Sequence, residues 1–108
     1  MKLEHYSLEK LKKEIIGVMA KHLDLQKTRV FFFGSRVDKS ASERSDIDIG
    51  IEGIEPVPFD TLMKIKEEIQ QIPTLYKMDV VDFRQVSEDF REVALQAIEI
   101  ISDEEQRK

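Results

Sequence analysis

Two short apolar runs flank a polar segment in residues 30–51, which read VFFFGSRVDKSASERSDIDIGI. The first run consists of strand-favouring residues and stops at Gly34. In the second run, polar or small residues alternate with isoleucine from Asp46 to Ile51, which is the period of a half-buried strand. The stretch therefore predicts a strand, a polar loop at 35–44 with room for one helical turn, and a second strand.

Hydrophobic spacing on both sides of this stretch predicts helices and one further strand. Apolar residues recur at helical spacing in residues 7–22, where Ser7 is a candidate cap. The same spacing recurs in residues 59–72, a helix that Pro73 ends. Residues 78–83 have the composition of a strand.

A final helix is predicted to begin at Ser87. Its apolar side is expected to consist of Val93, Ala94, Ala97, Ile98 and Ile101. The order of elements predicts a small α/β or α+β domain, in which a mixed sheet of three to four strands is flanked by helices. We expect one domain over residues 1–108, of which 102–108 form a charged, frayed tail.

The composition excludes several classes of chemistry. The chain has no cysteine, which rules out disulfides, thiolate metal sites and cysteine nucleophiles. The net charge of −5 argues against general nucleic-acid binding, although it leaves room for a nucleotide whose phosphates are screened by a divalent cation. No stretch reaches the length of a membrane span and the N-terminus has no apolar signal core, so we expect no membrane association and a cytoplasmic location.

Asp46 and Asp48 are the first candidate site residues. Residues i and i+2 of a strand point to the same face, so the two carboxylates should lie side by side while Ile47 and Ile49 point into a core. Such carboxylates repel each other unless a cation lies between them, and their hard oxygen atoms suit Mg²⁺. The alternation alone is equally typical of two ordinary, solvent-facing aspartates.

A third carboxylate would favour the metal site over that alternative. Asp79 and Asp82 lie on the last predicted strand and face opposite sides of the sheet. If this strand neighbours the Asp46 strand, Asp79 can join the cluster, and three converging carboxylates can hold two divalent ions. We expect Asp82, at the strand end, to cap the following turn instead.

Gly34, Ser35 and Arg36 are the candidate phosphate ligands. Glycine lets the backbone approach a ligand, serine offers a hydroxyl and an N–H, and arginine has a planar fork that suits phosphate. Each residue also has an ordinary interpretation, because Gly-Ser forms common turns. Arg36 could equally form a surface ion pair with Asp38 or Glu43.

Taken together, Gly34-Ser35-Arg36, the polar loop and Ser45-Asp46-Ile47-Asp48 resemble the signature of the polymerase-β nucleotidyltransferase superfamily. The length and layout are similar to the minimal nucleotidyltransferases, often encoded beside a helical HEPN-type partner. The resemblance implies a polymerase-β-like fold. It also implies a nucleotide-binding set of Gly34, Ser35, Arg36 and Ser45, and a metal-binding and catalytic set of Asp46, Asp48 and Asp79.

The reaction implied by the resemblance requires two Mg²⁺ ions and a nucleoside triphosphate, expected to be ATP. An acceptor hydroxyl attacks the α-phosphate and pyrophosphate leaves. The family further implies a HEPN partner whose tyrosine accepts AMP, as in a toxin–antitoxin pair, and hence a hetero-oligomer or homo-oligomer. The alternative is a catalytically weak nucleotide-binding module that acts by docking to such a partner.

One departure from the family pattern favours that alternative. Many minimal members continue Gly-Ser-Arg with Ala-Arg-Gly, whereas this chain has Val37-Asp38-Lys39. The second arginine is therefore absent, so we expect either a weaker affinity for phosphate or compensation by Lys39 or Arg44. The three carboxylates are all present, so the sequence still predicts an enzyme.

Overall fold

The computed structural model describes residues 1–38 and 45–102. In chain order, its elements are α1 (Leu8–His22), β1 (Arg29–Phe33), α2 (Ser35–Asp38), β2 (Ile47–Glu52), α3 (Phe59–Gln70), β3 (Met78–Asp82), α4 (Glu88–Ala94) and β4 (Glu99–Ile100). The predicted mixed sheet flanked by helices is confirmed. No helix in the described ranges is long and apolar enough to cross a membrane.

The strands form one sheet in the order β3-β2-β1-β4. β1 is antiparallel to both β2 and β4, whereas β2 and β3 are parallel, and α3 supplies the crossover that a parallel pair needs. In this register Asp48 lies opposite Phe33 on one side and opposite Asp79 on the other. The sheet therefore places Asp48 between an aromatic side chain and a second carboxylate.

The main core lies on the face of the sheet that α1 and α3 cover. The three isoleucines of β2 alternate into it and are fully buried, as predicted for Ile47 and Ile49. Leu11, Ile15 and Met19 of α1 meet them there. The predicted cap of α1 is also confirmed, because Ser7 Oγ accepts a hydrogen bond of 3.2 Å from Lys10 N–H.

A smaller aromatic cluster lies on the opposite face. Phe31 and Phe33 of β1 contact Phe83, which follows β3, with ring centroids 4.9 and 5.0 Å apart. Gly50 of β2 lies beneath these rings. A Cβ atom at that position would be 2.6 Å from Phe31 Cζ and 2.9 Å from Phe83 Cε1, so only glycine lets the rings approach the strand.

The predicted final helix is wrong in its second half. α4 ends at Ala94, and Val93, which we expected on its apolar side, is 68% exposed. The chain then forms β4 along the outer edge of β1, where Ile101 N–H donates to Val30 O at 2.8 Å. The physical reason is that β1 is buried, so the polar backbone groups along its outer edge need partners.

The expected frayed tail, residues 102–108, is wrong at Ser102, which belongs to the folded part of the chain. Ser102 is buried, and its N–H lies 3.2 Å from Val30 O. Nearby, Glu99 of β4 forms ion pairs with the N-terminal ammonium of Met1 and with Lys12 of α1. Residues 103–108, the rest of the predicted tail, lie outside the described residues.

Candidate functional site

Asp48 and Gly34 are in direct contact at the end of the sheet where β1 ends and β2 begins. Gly34 has a φ of +82°, a conformation that side-chain-bearing residues rarely adopt. A Cβ atom built on it would overlap Asp48 Oδ2 and lie 3.3 Å from Asp48 Cγ. Glycine is therefore needed here twice, for the backbone conformation and for the space that the Asp48 carboxylate occupies.

Ser35 begins α2 immediately after this glycine. The amides of Val37 and Asp38 both donate to Gly34 O at 3.1 Å, which confirms the helical turn that the sequence allowed. Ser35 is half-buried and directly follows the glycine that contacts Asp48. This is the strand-to-turn junction predicted to approach phosphate.

Asp79 lies beside Asp48 on the neighbouring parallel strand. The two residues are register partners, so their side chains leave the same face of the sheet. Burial raises the pKa of Asp48, and the negative charges of Asp79 and Asp46 raise that pKa further. Asp79 itself is exposed, and its Oδ1 accepts a hydrogen bond of 3.0 Å from Val80 N–H.

The charges of Asp46 and Asp79 therefore act on Asp48, but the three predicted carboxylates do not form a closed cage. Within residues 1–38 and 45–102, no three His, Asp or Glu side chains are placed to hold one ion together. Their oxygen chemistry still fits Mg²⁺, which commonly takes one or two carboxylates and completes its shell with water and substrate phosphates. A cation here would also relieve the charge repulsion that raises the pKa of Asp48.

Arg36 connects the segments that carry the site. Its Nε donates to Ser45 O at 2.8 Å, and its guanidinium lies 4.8 Å from the centre of the Tyr76 ring. These contacts join the turn after β1 to the residues that precede β2 and β3. The predicted role of Arg36 as a phosphate ligand stays a prediction, as does that of Ser45.

Tyr76 is a site-supporting residue that the sequence did not reveal. Its hydroxyl accepts hydrogen bonds of 3.1 Å from the backbone N–H groups of Glu4 and His5, so it fastens the N-terminal segment beside Arg36. A lone tyrosine in a connecting segment matches no motif, so no local signal was available. Glu43, Lys39 and Arg44, which entered the predictions about this loop, lie outside the described residues.

Asp82 has the structural role that the sequence predicted. It is 4% exposed, and its Oδ1 accepts from Arg84 N–H at 2.9 Å. Its Oδ2 accepts from Val57 N–H at 2.7 Å and from Gln85 Nε2 at 3.0 Å. Asp82 thus caps the turn after β3 on the face away from Asp79.

Comparison with known proteins gives consistent matches to one kind of protein. Residues 11–107 match the family described as "Polymerase beta, Nucleotidyltransferase". A Haemophilus influenzae protein described as "Probable protein adenylyltransferase MntA" is 34% identical over 76 residues, which cover 70% of this chain and 67% of that protein.

Solved structures share the fold at lower sequence identity. A toxin–antitoxin crystal structure with AMP-PNP has a TM-score of 0.68 at 15% identity, covering 88% of this chain and 77% of that chain. A Shewanella oneidensis complex of tri-AMPylated HEPN toxin with MNT antitoxin has a TM-score of 0.67 at 15% identity, covering 92% and 76%. At these identities the likeness concerns the fold, which agrees with the one expected from the sequence.

Proposed function

The chain belongs to the polymerase-β nucleotidyltransferase family, and we propose that it transfers AMP from ATP to a hydroxyl group of a partner protein. The observation that carries this proposal is the contact of Asp48 with Gly34 together with the register of Asp48 and Asp79. It brings the candidate phosphate turn and the candidate metal ligands together at the end of the sheet where β1 ends and β2 and β3 begin.

The turn after β1 has the binding role in this proposal. Gly34 and Ser35 approach the phosphates of ATP, because the glycine leaves the backbone accessible and the serine offers a hydroxyl and an N–H. Arg36 and Ser45 complete the nucleotide-binding set. The hydrogen bond from Arg36 to Ser45 O keeps these two residues together, although they are nine positions apart in the sequence.

The carboxylates have the catalytic role. Asp46, Asp48 and Asp79 are the residues that would hold Mg²⁺, which when bound polarises the α-phosphate and neutralises charge on the departing pyrophosphate. Asp79 is exposed, so an acceptor can approach it from outside the domain. It takes the proton of the acceptor hydroxyl while that oxygen bonds to the α-phosphorus and the bond to pyrophosphate breaks.

We propose a tyrosine of a HEPN-type helical protein as the acceptor and antitoxin action as the biological role. Support comes from relatives: the Haemophilus protein is described as a protein adenylyltransferase, and a protein of the same fold is seen with an AMPylated HEPN toxin. The use of ATP as donor makes the cytoplasm the proposed location.

Transfer of a label tests this function directly. The protein is incubated with Mg²⁺, ATP labelled at the α-phosphate and the product of a neighbouring helical-protein gene. We expect the partner to become labelled, and we expect Asp46→Asn and Asp48→Asn to abolish the label. Asp60→Asn, an exposed aspartate in the first turn of α3, is the matched control and should leave labelling intact.

A second candidate function is nucleotide-dependent docking without catalysis. It is favoured by the absence, among the described side chains, of three acidic or histidine groups placed around one ion. Docking predicts that Mg²⁺ and ATP raise the thermal midpoint, because a ligand of the native state stabilises it. It also predicts that no label reaches any acceptor, whereas the enzyme transfers label.

A further inference from the structure

Phe90 of α4 is an aromatic side chain that lies only partly inside the aromatic cluster. Its ring centroid is 6.1 Å from that of Phe33 and 5.8 Å from that of Phe83. Those two rings are buried, but Phe90 is 43% exposed. The cluster thus presents one aromatic surface to solvent on this face of the sheet.

The position of this surface follows from the register of the strands. Phe33 is the cross-strand partner of Asp48, and opposite residues of a strand pair have neighbouring side chains on one face. Phe90 packs on Phe33 from that same face. Phe33 therefore links the two residues, because it is the register partner of Asp48 and its ring packs against the exposed ring of Phe90.

We propose that Phe90 is the residue on which the base of the nucleoside triphosphate stacks. The inference rests on the proposed function, because it takes the triphosphate to be held at Gly34 and Asp48. With the phosphates fixed there, the sugar and base extend away from the α-phosphate over neighbouring surface. Bases stack favourably on exposed aromatic rings whatever their identity, since every base has a flat π face.

The other exposed phenylalanine does not meet these conditions. Phe59 is 72% exposed, but it begins α3 after the end of β2, whereas Asp48 lies near the start of that strand. The length of β2 therefore separates Phe59 from the site. This makes Phe59 a matched control of the same residue type.

A fluorescence titration tests the position of the base. The chain has no tryptophan, so Phe90→Trp and Phe59→Trp each introduce a single reporter. Titration with ATP and Mg²⁺ should change the emission of the position-90 reporter and leave the position-59 reporter unchanged. Titration with tripolyphosphate and Mg²⁺, which lacks the base, should change neither. An unchanged position-90 signal at saturating ATP would overturn the inference.

Affinity measurements separate stacking from a structural role. Phe90→Leu keeps an apolar contact with Phe33 and should weaken ATP binding about fivefold or more, while Phe90→Tyr should retain the affinity. The affinity for tripolyphosphate should be the same in both variants and in the unmodified chain. An equal loss for both ligands would show that Phe90 only supports the fold, and would overturn the inference.

Three further outcomes distinguish this inference from the proposed function. If the unmodified chain binds ATP and Phe90→Leu binds it equally well, the inference fails alone. If Phe90→Leu binds ATP normally but no longer binds the helical partner protein, the ring belongs to a protein interface and the inference is overturned. If the unmodified chain does not bind ATP at all, the proposed function fails and the inference fails with it.

Discussion

The carboxylate of Asp48 occupies the space that a side chain at position 34 would need. This contact joins the turn after β1 to β2, and it exists because Gly34 has no Cβ and adopts a φ of +82°. The candidate phosphate turn and the candidate metal ligand are thus one packed unit. Changing either residue is expected to change the other's position.

Replacing Gly34 with alanine should damage both stability and function. We expect a loss of about 1–3 kcal/mol in the free energy of unfolding from backbone strain alone, and a further displacement of the Asp48 carboxylate. Chemical denaturation measures the first effect, and the rise in thermal midpoint on adding ATP and Mg²⁺ measures the second. The free energy of unfolding and the nucleotide-induced rise in thermal midpoint should both be smaller in Gly34→Ala than in the unmodified chain.

Gly17→Ala is the control for this experiment. Gly17 is exposed in α1, and no atom lies within 4 Å of a Cβ built on it. We expect a gain of about 0.5–1 kcal/mol there, since glycine is a poor helix former, with nucleotide binding unchanged. A Gly34→Ala variant as stable and as responsive to nucleotide as Gly17→Ala would contradict the packing of the Asp48 carboxylate against Gly34.

Neutralising Asp48 should stabilise the protein while removing its function. The pKa of Asp48 is raised by burial and by the charges of Asp79 and Asp46, so at neutral pH its negative charge works against the folded state. Asp48→Asn should therefore raise the thermal midpoint without ligand and abolish the further rise with ATP and Mg²⁺. A lower midpoint in the ligand-free variant would show that the charge of Asp48 stabilises the fold.

Asp79 and Asp82 should respond in opposite ways to the same substitution. Asp79→Asn should stop label transfer with little change in stability, because the side chain is exposed and bonds only Val80 N–H among the described contacts. Asp82→Asn should lower the free energy of unfolding by about 1–3 kcal/mol, because one of the buried acceptor oxygens is replaced by a donor that faces N–H groups. The folded Asp82→Asn variant should still transfer label. Transfer retained by Asp79→Asn and lost by folded Asp82→Asn would show that the site lies on the other face.

Glu52 should make the stability of the protein depend on pH. Glu52 is 8% exposed and accepts hydrogen bonds from Arg29 and Arg91. Burial acts to raise the pKa of Glu52, but the hydrogen bonds from the two arginines outweigh burial and lower that pKa. The stabilisation from ionised Glu52 is therefore complete above its unfolded-state pKa of about 4.5. It disappears as the pH falls through the lower pKa that Glu52 has in the folded protein. At neutral pH, we expect Glu52→Gln to cost about 1–3 kcal/mol.

Denaturation curves at a series of pH values check this expectation. The difference between the unmodified chain and Glu52→Gln should shrink as the pH falls below 4.5. Glu55→Gln removes an exposed carboxylate from the same part of the chain and serves as the control. If the difference in free energy of unfolding between the unmodified chain and Glu52→Gln stays constant with pH, the charge of the Glu52 carboxylate does not stabilise its contacts with Arg29 and Arg91.

Much of the fold was predictable because local patterns carry strong physical constraints. The alternation from Asp46 to Ile51 defined which side chains enter the core, and the Ser7 hydroxyl defined where α1 begins. β4 was not predictable, because residues 99–100 become a strand only when the edge of β1 offers them backbone partners. The spacing of apolar residues in residues 93–101 contains no information about these backbone partners.

For the site, the sequence by itself determined the chemistry, whereas the tertiary structure decided the geometry. Gly34, Ser35, Asp46 and Asp48 were recognisable because a turn glycine, a hydroxyl and paired carboxylates have defined abilities wherever they meet. Only the sheet register placed Asp79 opposite Asp48, and only packing placed Tyr76 against Arg36 and Phe90 against Phe33. Those pairs are distant in sequence, so their contacts depend on the relative placement of whole strands and helices, which no local pattern encodes.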